Sequence, residues 1–172
     1  MNKELIEILN NTKEWLKFAE AKNAMLIAFN AASIYGVAKL PFLNRTEFSF
    51  FDGYFSFVII LLIISTVTCL ISFVPRLNFI HISITNINQE SNIFFFEHLR
   101  KSTPKQILKS LKEKGVKEEF SKIDEDIASQ IHSLSKVTSN KYSLFTIAVW
   151  ITVTAYVTVP LAGIFWLYNY FK

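Results

Sequence analysis

This chain of 172 residues is short of the residue types on which several kinds of chemistry depend. It has one cysteine, Cys69, which excludes an internal disulfide framework and a cysteine metal cluster. Only four glycines and four prolines are present, too few for a loop-rich fold. There is no Gly-rich phosphate cradle and no G-x-S-x-G nucleophile elbow. No Ser or Thr has an identifiable base, so no enzymatic activity and no cofactor are expected. His81, His98 and His132 stand far apart and form no H-x-x-x-H or H-E-x-x-H pair, so no metal site is expected. The most informative lack is local: the twenty residues from Phe55 to Val74 carry no charge and no proline.

As a helix that run is about 30 Å long, the hydrocarbon thickness of a bilayer. Only Ser, Thr and Cys69 interrupt it, and hydroxyls can bond back to the helix's own carbonyls. It reads as a membrane span, closed abruptly by Pro75-Arg76. Hydrophobic residues make up 51% of the chain and seventeen residues are Phe, as a lipid-facing helical protein requires. The length allows a few spans and one small soluble lobe, and excludes a transporter with repeated halves.

The first twenty-two residues mix four Lys with four Glu, without an apolar stretch leading to a small-residue cleavage site. They read as a retained N-terminus. Leu5, Ile6, Ile8, Leu9, Trp15, Leu16 and Phe18 on a charged background predict an interfacial amphipathic helix over 1–22, with a possible break at Asn10-Asn11. The next segment, 23–43, is expected to be a first span if Lys39 snorkels and Pro41 sits at the exit; the alternative is a helix lying on the membrane surface. An external turn over 44–53 precedes the second span at 54–74. The segment 142–169 is expected to be a third span, with Pro160 a candidate kink.

Between these spans, residues 76–141 hold eleven of the eighteen basic residues and eight of the fourteen acidic ones. The positive-inside rule places this 75–141 lobe and the N-terminus in the cytoplasm. Thr103-Pro104-Lys105-Gln106 supplies a capping box with proline at the first helical position, and Gly115 a stop. Phe120, Ile123, Ile127, Ile131, Leu134 and Val137 recur at spacings of three and four and predict a second helix running unbroken into the last span. Glu118-Glu119 and Asp124-Glu125-Asp126 at its start complement the helix dipole and are expected on a solvated face. Residues 77–84 fit helix slightly better than an isolated strand.

Two groups of residues carry candidate function. Arg76, Arg100, Lys101 and Lys105 are the candidates for contact with an anion, set against an ordinary positive-inside bias. Aromatic interleaving is too sparse for a nucleic-acid surface, and no nucleic-acid partner is expected. Asn30, Thr66, Thr152 and Thr158, with Ser65, Thr68, Thr146 and Thr154, are polar at membrane depth. They could line a pore, which would need an oligomer, or bond between and within helices.

The stretch Trp15-Leu-Lys-Phe-Ala-Glu-Ala-Lys22 and the Pro75-Arg76-Leu77 exit resemble the Pycsar transmembrane effector family. So do Asn92-Ile-Phe-Phe-Phe-Glu-His98, Asp126-Ile-Ala-Ser-Gln130 and Lys141-Tyr142, in that order along residues 12–160. The resemblance implies a bacterial antiphage protein of the inner membrane. It would work beside a nucleotidyl cyclase and answer a cyclic nucleotide signal by impairing the membrane. Two departures stand out: Glu20 where the family often has Asp, and no separate cyclic-nucleotide-binding domain.

The expectation is therefore an all-α integral membrane protein with about three spans and a small helical cytosolic lobe between the second and third. It would be a homo-oligomer in contact with lipid and gated by a cyclic nucleotide. A membrane scaffold recruiting a protein partner and a small ion channel unrelated to defence are the alternatives.

Overall fold

The computed structural model describes residues 3–39, 50–74, 92–116 and 119–170, and among them every regular element is helical. The elements are α1 (Lys3–Ala38), α2 (Phe50–Ile71), α3 (Phe96–Lys101), α4 (Pro104–Glu113) and α5 (Lys122–Tyr170). They form two compact units. A lobe draws on Met1–Ala21 and Pro75–Ser143, and a second unit on Lys22–Val74 and Leu144–Lys172. Of the external turn expected over 44–53, residues 44–49 lie outside the described residues and 50–53 belong to α2; the exit Pro75-Arg76, the 77–84 stretch, His81 and Glu118 also lie outside the described residues.

In α1, 36 residues long, the only helix breaker is Gly36 near its end. The break considered at Asn10-Asn11 does not occur. Asn11, whose side chain could compete for the local backbone, instead donates from Nδ2 to the Phe94 carbonyl at 3.0 Å. Thr12 bonds back to the Ile8 carbonyl at 2.8 Å. Part of the apolar stripe expected at the membrane interface packs on protein, while Phe18 is exposed. Leu5, Ile8 and Leu9 are buried with Ile93, Leu99, Ile107, Leu108, Leu111, Ala128 and Ile131 in the lobe core. The lobe thus recruits the N-terminal helix, which sequence separation had kept apart from it.

α4 is set by its caps. Thr103 accepts from the Gln106 amide at 3.3 Å, and Gln106 Oε1 accepts from the Thr103 amide at 2.7 Å, closing the expected box. At the other end of α4, Gly115 has φ +75°. Its amide donates to the Lys112 carbonyl and that of Val116 to the Leu111 carbonyl, a Schellman stop with Val116 packed on the core.

α5 runs unbroken for 49 residues with Pro160 inside it, as the absence of earlier breakers predicts. Two expectations about its lobe segment change. Asp124 is fully buried, not solvated: its carboxylate accepts from the Ser121 amide and hydroxyl at 3.0 and 2.9 Å, and Ser121 Oγ accepts from the Asp124 amide. Glu125 and Asp126 are exposed. Ile123 and Val137, counted on the core-facing stripe, are 61% and 44% exposed. The buried face passes instead through Asp124, Ala128, Ile131, Ser135 and Thr138-Ser139. Small and capping residues, which a count of apolar positions ignores, form much of that packed face.

The second unit reverses the usual order of burial. Asn23, Asn30, Ser65, Ser72 and Thr152 are buried, whereas Met25, Phe29, Phe57, Ile63, Val67 and Trp150 are exposed. In water such a surface would be strongly unfavourable; against lipid tails it carries no such cost. Among the described residues two helices, α2 over Gly53–Ile71 and α5 over Lys122–Leu161, are long and apolar enough to cross a membrane. Val58, Leu62 and Ala155 form a small core, flanked by Ile34, Tyr54 and Leu61. Cys69 is buried among the helices.

Candidate functional site

In the lobe, α3 is placed by the residues before it. Asn92 Oδ1 accepts from the Phe94 amide at 2.9 Å, Ile93 enters the core, and the Phe94 carbonyl is held by Asn11. Phe95 and Phe96 then meet Trp15, with ring centroids 6.4 and 5.7 Å away. Phe96 also stacks on Tyr142 at 5.2 Å and 13° between planes. This aromatic cluster joins α1, α3 and α5 and supplies packing beyond simple area burial.

A buried carboxylate lies beside it. Glu97 Oε1 is 2.8 Å from Arg100 Nη2, and both side chains are almost wholly inside. Ser139 on α5 donates to Glu97 Oε2 at 2.8 Å. One acid is thus shared between a guanidinium and a hydroxyl, which offsets the cost of removing the charges from water. Lys141 Nζ, itself buried, pairs with Glu20 Oε1 at 3.0 Å. The exposed Lys109–Glu113 pair at 3.8 Å adds little to stability.

In the second unit, three buried polar side chains meet from three helices. Asn30 Nδ2 on α1 donates to Ser65 Oγ on α2 at 2.9 Å. Ser65 Oγ donates to the Ala148 carbonyl of α5 at 2.8 Å and lies 2.8 Å from Thr152 Oγ1. Thr152 Oγ1 donates to Asn30 Oδ1 at 3.1 Å. One side of this clasp carries a Tyr54-to-Thr158 hydroxyl bond of 2.9 Å and a Ser33–Tyr156 hydroxyl contact.

The candidates named from sequence divide between these settings. Asn30 and Thr152 come together with Ser65, whereas Thr66 and Thr68 bond back to the carbonyls of Leu62 and Ile64. Thr158 accepts from Tyr54 and donates to the Ala155 carbonyl. Arg76 lies outside the described residues. Arg100 is held by Glu97, while Lys101 and Lys105 are exposed at the end of α3 and the start of α4. His98 Nε2 is 3.4 Å from Ser102 Oγ, and His132 Nδ1 is 3.3 Å from the Leu99 carbonyl. Among the described residues no three His, Cys, Asp or Glu side chains are grouped as metal ligands would be.

Sequence reasoning assigned no role to Glu97, Ser139 or the Glu20–Lys141 pair. The usable signal was an acid set in the aromatic run Phe94–Phe96 with an arginine three residues later, the spacing of one helical face. Notably, Trp15, Glu20, Asn92–Glu97, Lys141 and Tyr142, scattered over 128 positions, converge in this lobe.

No curated protein and no solved structure matches the chain. A family model described as the Pycsar effector protein domain matches residues 4–168, and the chain belongs to that family.

Proposed function

We propose that this protein is an antiphage membrane effector that answers a cyclic nucleotide signal by assembling as an oligomer and impairing the integrity of the bacterial inner membrane. The observation that carries the reading is the match to the Pycsar effector domain over nearly the whole chain. The reversed burial of the second unit supports action within a bilayer. Exposed Met25, Phe29 and Tyr35 on α1 support a third span beside α2 and α5. The charge distribution supports an N-terminus and lobe on the cytoplasmic side. The protein works without catalysis, downstream of a nucleotidyl cyclase. Lys101 and Lys105, exposed on the lobe, are the contacts for the anionic signal.

The test is dye release from liposomes carrying the full chain, challenged with cyclic mononucleotides and then cyclic oligonucleotides. Release with one class is the expected result. Intact vesicles with every nucleotide, at every protein density, would overturn the reading.

A further inference from the structure

We infer that the Asn30–Ser65–Thr152 clasp is the lock that keeps the second unit leak-tight at rest, with Ser65 as its hub. The inference rests on the membrane-impairing function proposed above and assigns it to particular residues.

Ser65 touches every other member: the Asn30 amide, the Thr152 hydroxyl and the Ala148 carbonyl, all within 2.9 Å. The three side chains are buried, so no water competes for these bonds. The proton count is unusual. Three oxygen–oxygen contacts are present, Ser65 to Ala148, Ser65 to Thr152 and Thr152 to Asn30. Two hydroxyl protons serve them, since Ser65 and Thr152 contribute one each and the other two oxygens none. At any instant one contact has no proton. The clasp therefore interconverts between arrangements, and it holds the three helices without being saturated. A set of bonds in that condition is easier to exchange for water than a saturated one. On opening, the same side chains would present polar groups to an aqueous path, where α2 otherwise offers mainly Val, Ile and Leu.

The two threonines of α2 have no such part. Thr66 and Thr68 are satisfied within their own helix at 2.8 Å. Removing Ser65 Oγ takes away the acceptor of the Asn30 amide inside the bundle, whereas replacing the whole set with apolar groups orphans nothing.

The experiment measures resting dye release, with no nucleotide added, from liposomes carrying the full chain. Ser65→Ala is expected to raise release about threefold to tenfold, the range set by the bonds between membrane helices. Thr66→Val should match wild type. The triple variant Asn30→Leu/Ser65→Ala/Thr152→Val should return to wild-type tightness, a result that cumulative destabilisation does not produce. A Ser65→Ala protein as tight as wild type, or a triple variant leakier than the single, overturns the inference. If Ser65→Ala fails to fold by far-UV circular dichroism, Thr152→Val and Thr152→Ser replace it. The valine must leak and the serine must not, and equal behaviour overturns the lock. A wild-type protein that ignores every nucleotide counts against the proposed function alone, because the resting comparison needs no signal.

Discussion

Ser139, in the middle of α5, donates a 2.8 Å hydrogen bond to Oε2 of Glu97 on α3, forty-two positions earlier. Through Glu97 the bond reaches Arg100, 2.8 Å from the other carboxylate oxygen. One hydroxyl thus fixes the position of a buried ion pair relative to α5.

Glu97→Ala takes the buried carboxylate away from both Arg100 and Ser139, and should cost about 3 kcal/mol of stability. Replacing both members of the ion pair with leucine removes the two buried charges together and should recover most of that loss. Thermal unfolding of the detergent-solubilised protein checks the order; a double variant less stable than Glu97→Ala would contradict it.

Gly115 and Gly36 make a matched comparison, since an added Cβ meets nothing within 4 Å at either position. Only Gly115 has positive φ, +75°. Gly115→Ala should therefore lose about 1–2 kcal/mol through backbone strain alone. Gly36→Ala, inside α1, should be neutral or more stable by up to about 1 kcal/mol. The two melting curves should move in different directions or by clearly different amounts.

Thr103→Ala removes the side chain that accepts from the Gln106 amide. The expected loss is about 1 kcal/mol, local to the first turn of α4. Hydrogen exchange should quicken at the Gln106 and Ile107 amides and stay unchanged within α5.

Lys101 and Lys105 are exposed, while Arg100 is held by Glu97. The double variant Lys101→Ala/Lys105→Ala should weaken cyclic nucleotide binding about tenfold and flatten its salt dependence, with thermal stability unchanged. Calorimetric titration at two ionic strengths measures both effects. Undiminished affinity would remove these lysines from the site.

The elements that local chemistry controls could be read from the chain. The capping box at Thr103, the Gly115 stop and the unbroken course of α5 each depend on residues a few positions apart. The alignment of Phe120, Ile127, Ile131 and Leu134 located the core side of α5, but Ile123 and Val137 fell off it. Hydrophobic spacing gives a stripe's direction only to within the width of a side chain. Ala128, Ser135 and Ser139, small enough for close packing, lie on the buried face. Asn30 and Thr152 could be named as polar at membrane depth, yet nothing in their spacing showed that both meet Ser65.

The sequence by itself determined the helical class and the uncharged twenty-residue run from Phe55 to Val74, because charge, caps and breakers act over a turn or two of helix. Tertiary structure decided which polar groups are shared. It brought Leu5 and Ile8 into the lobe core, set Glu97 between Arg100 and Ser139, and closed Asn30, Ser65 and Thr152 on one another. Each of these joins residues from different helices. A buried polar atom is stable only where a partner from elsewhere in the chain arrives, and that arrival depends on packing, not on neighbours in sequence.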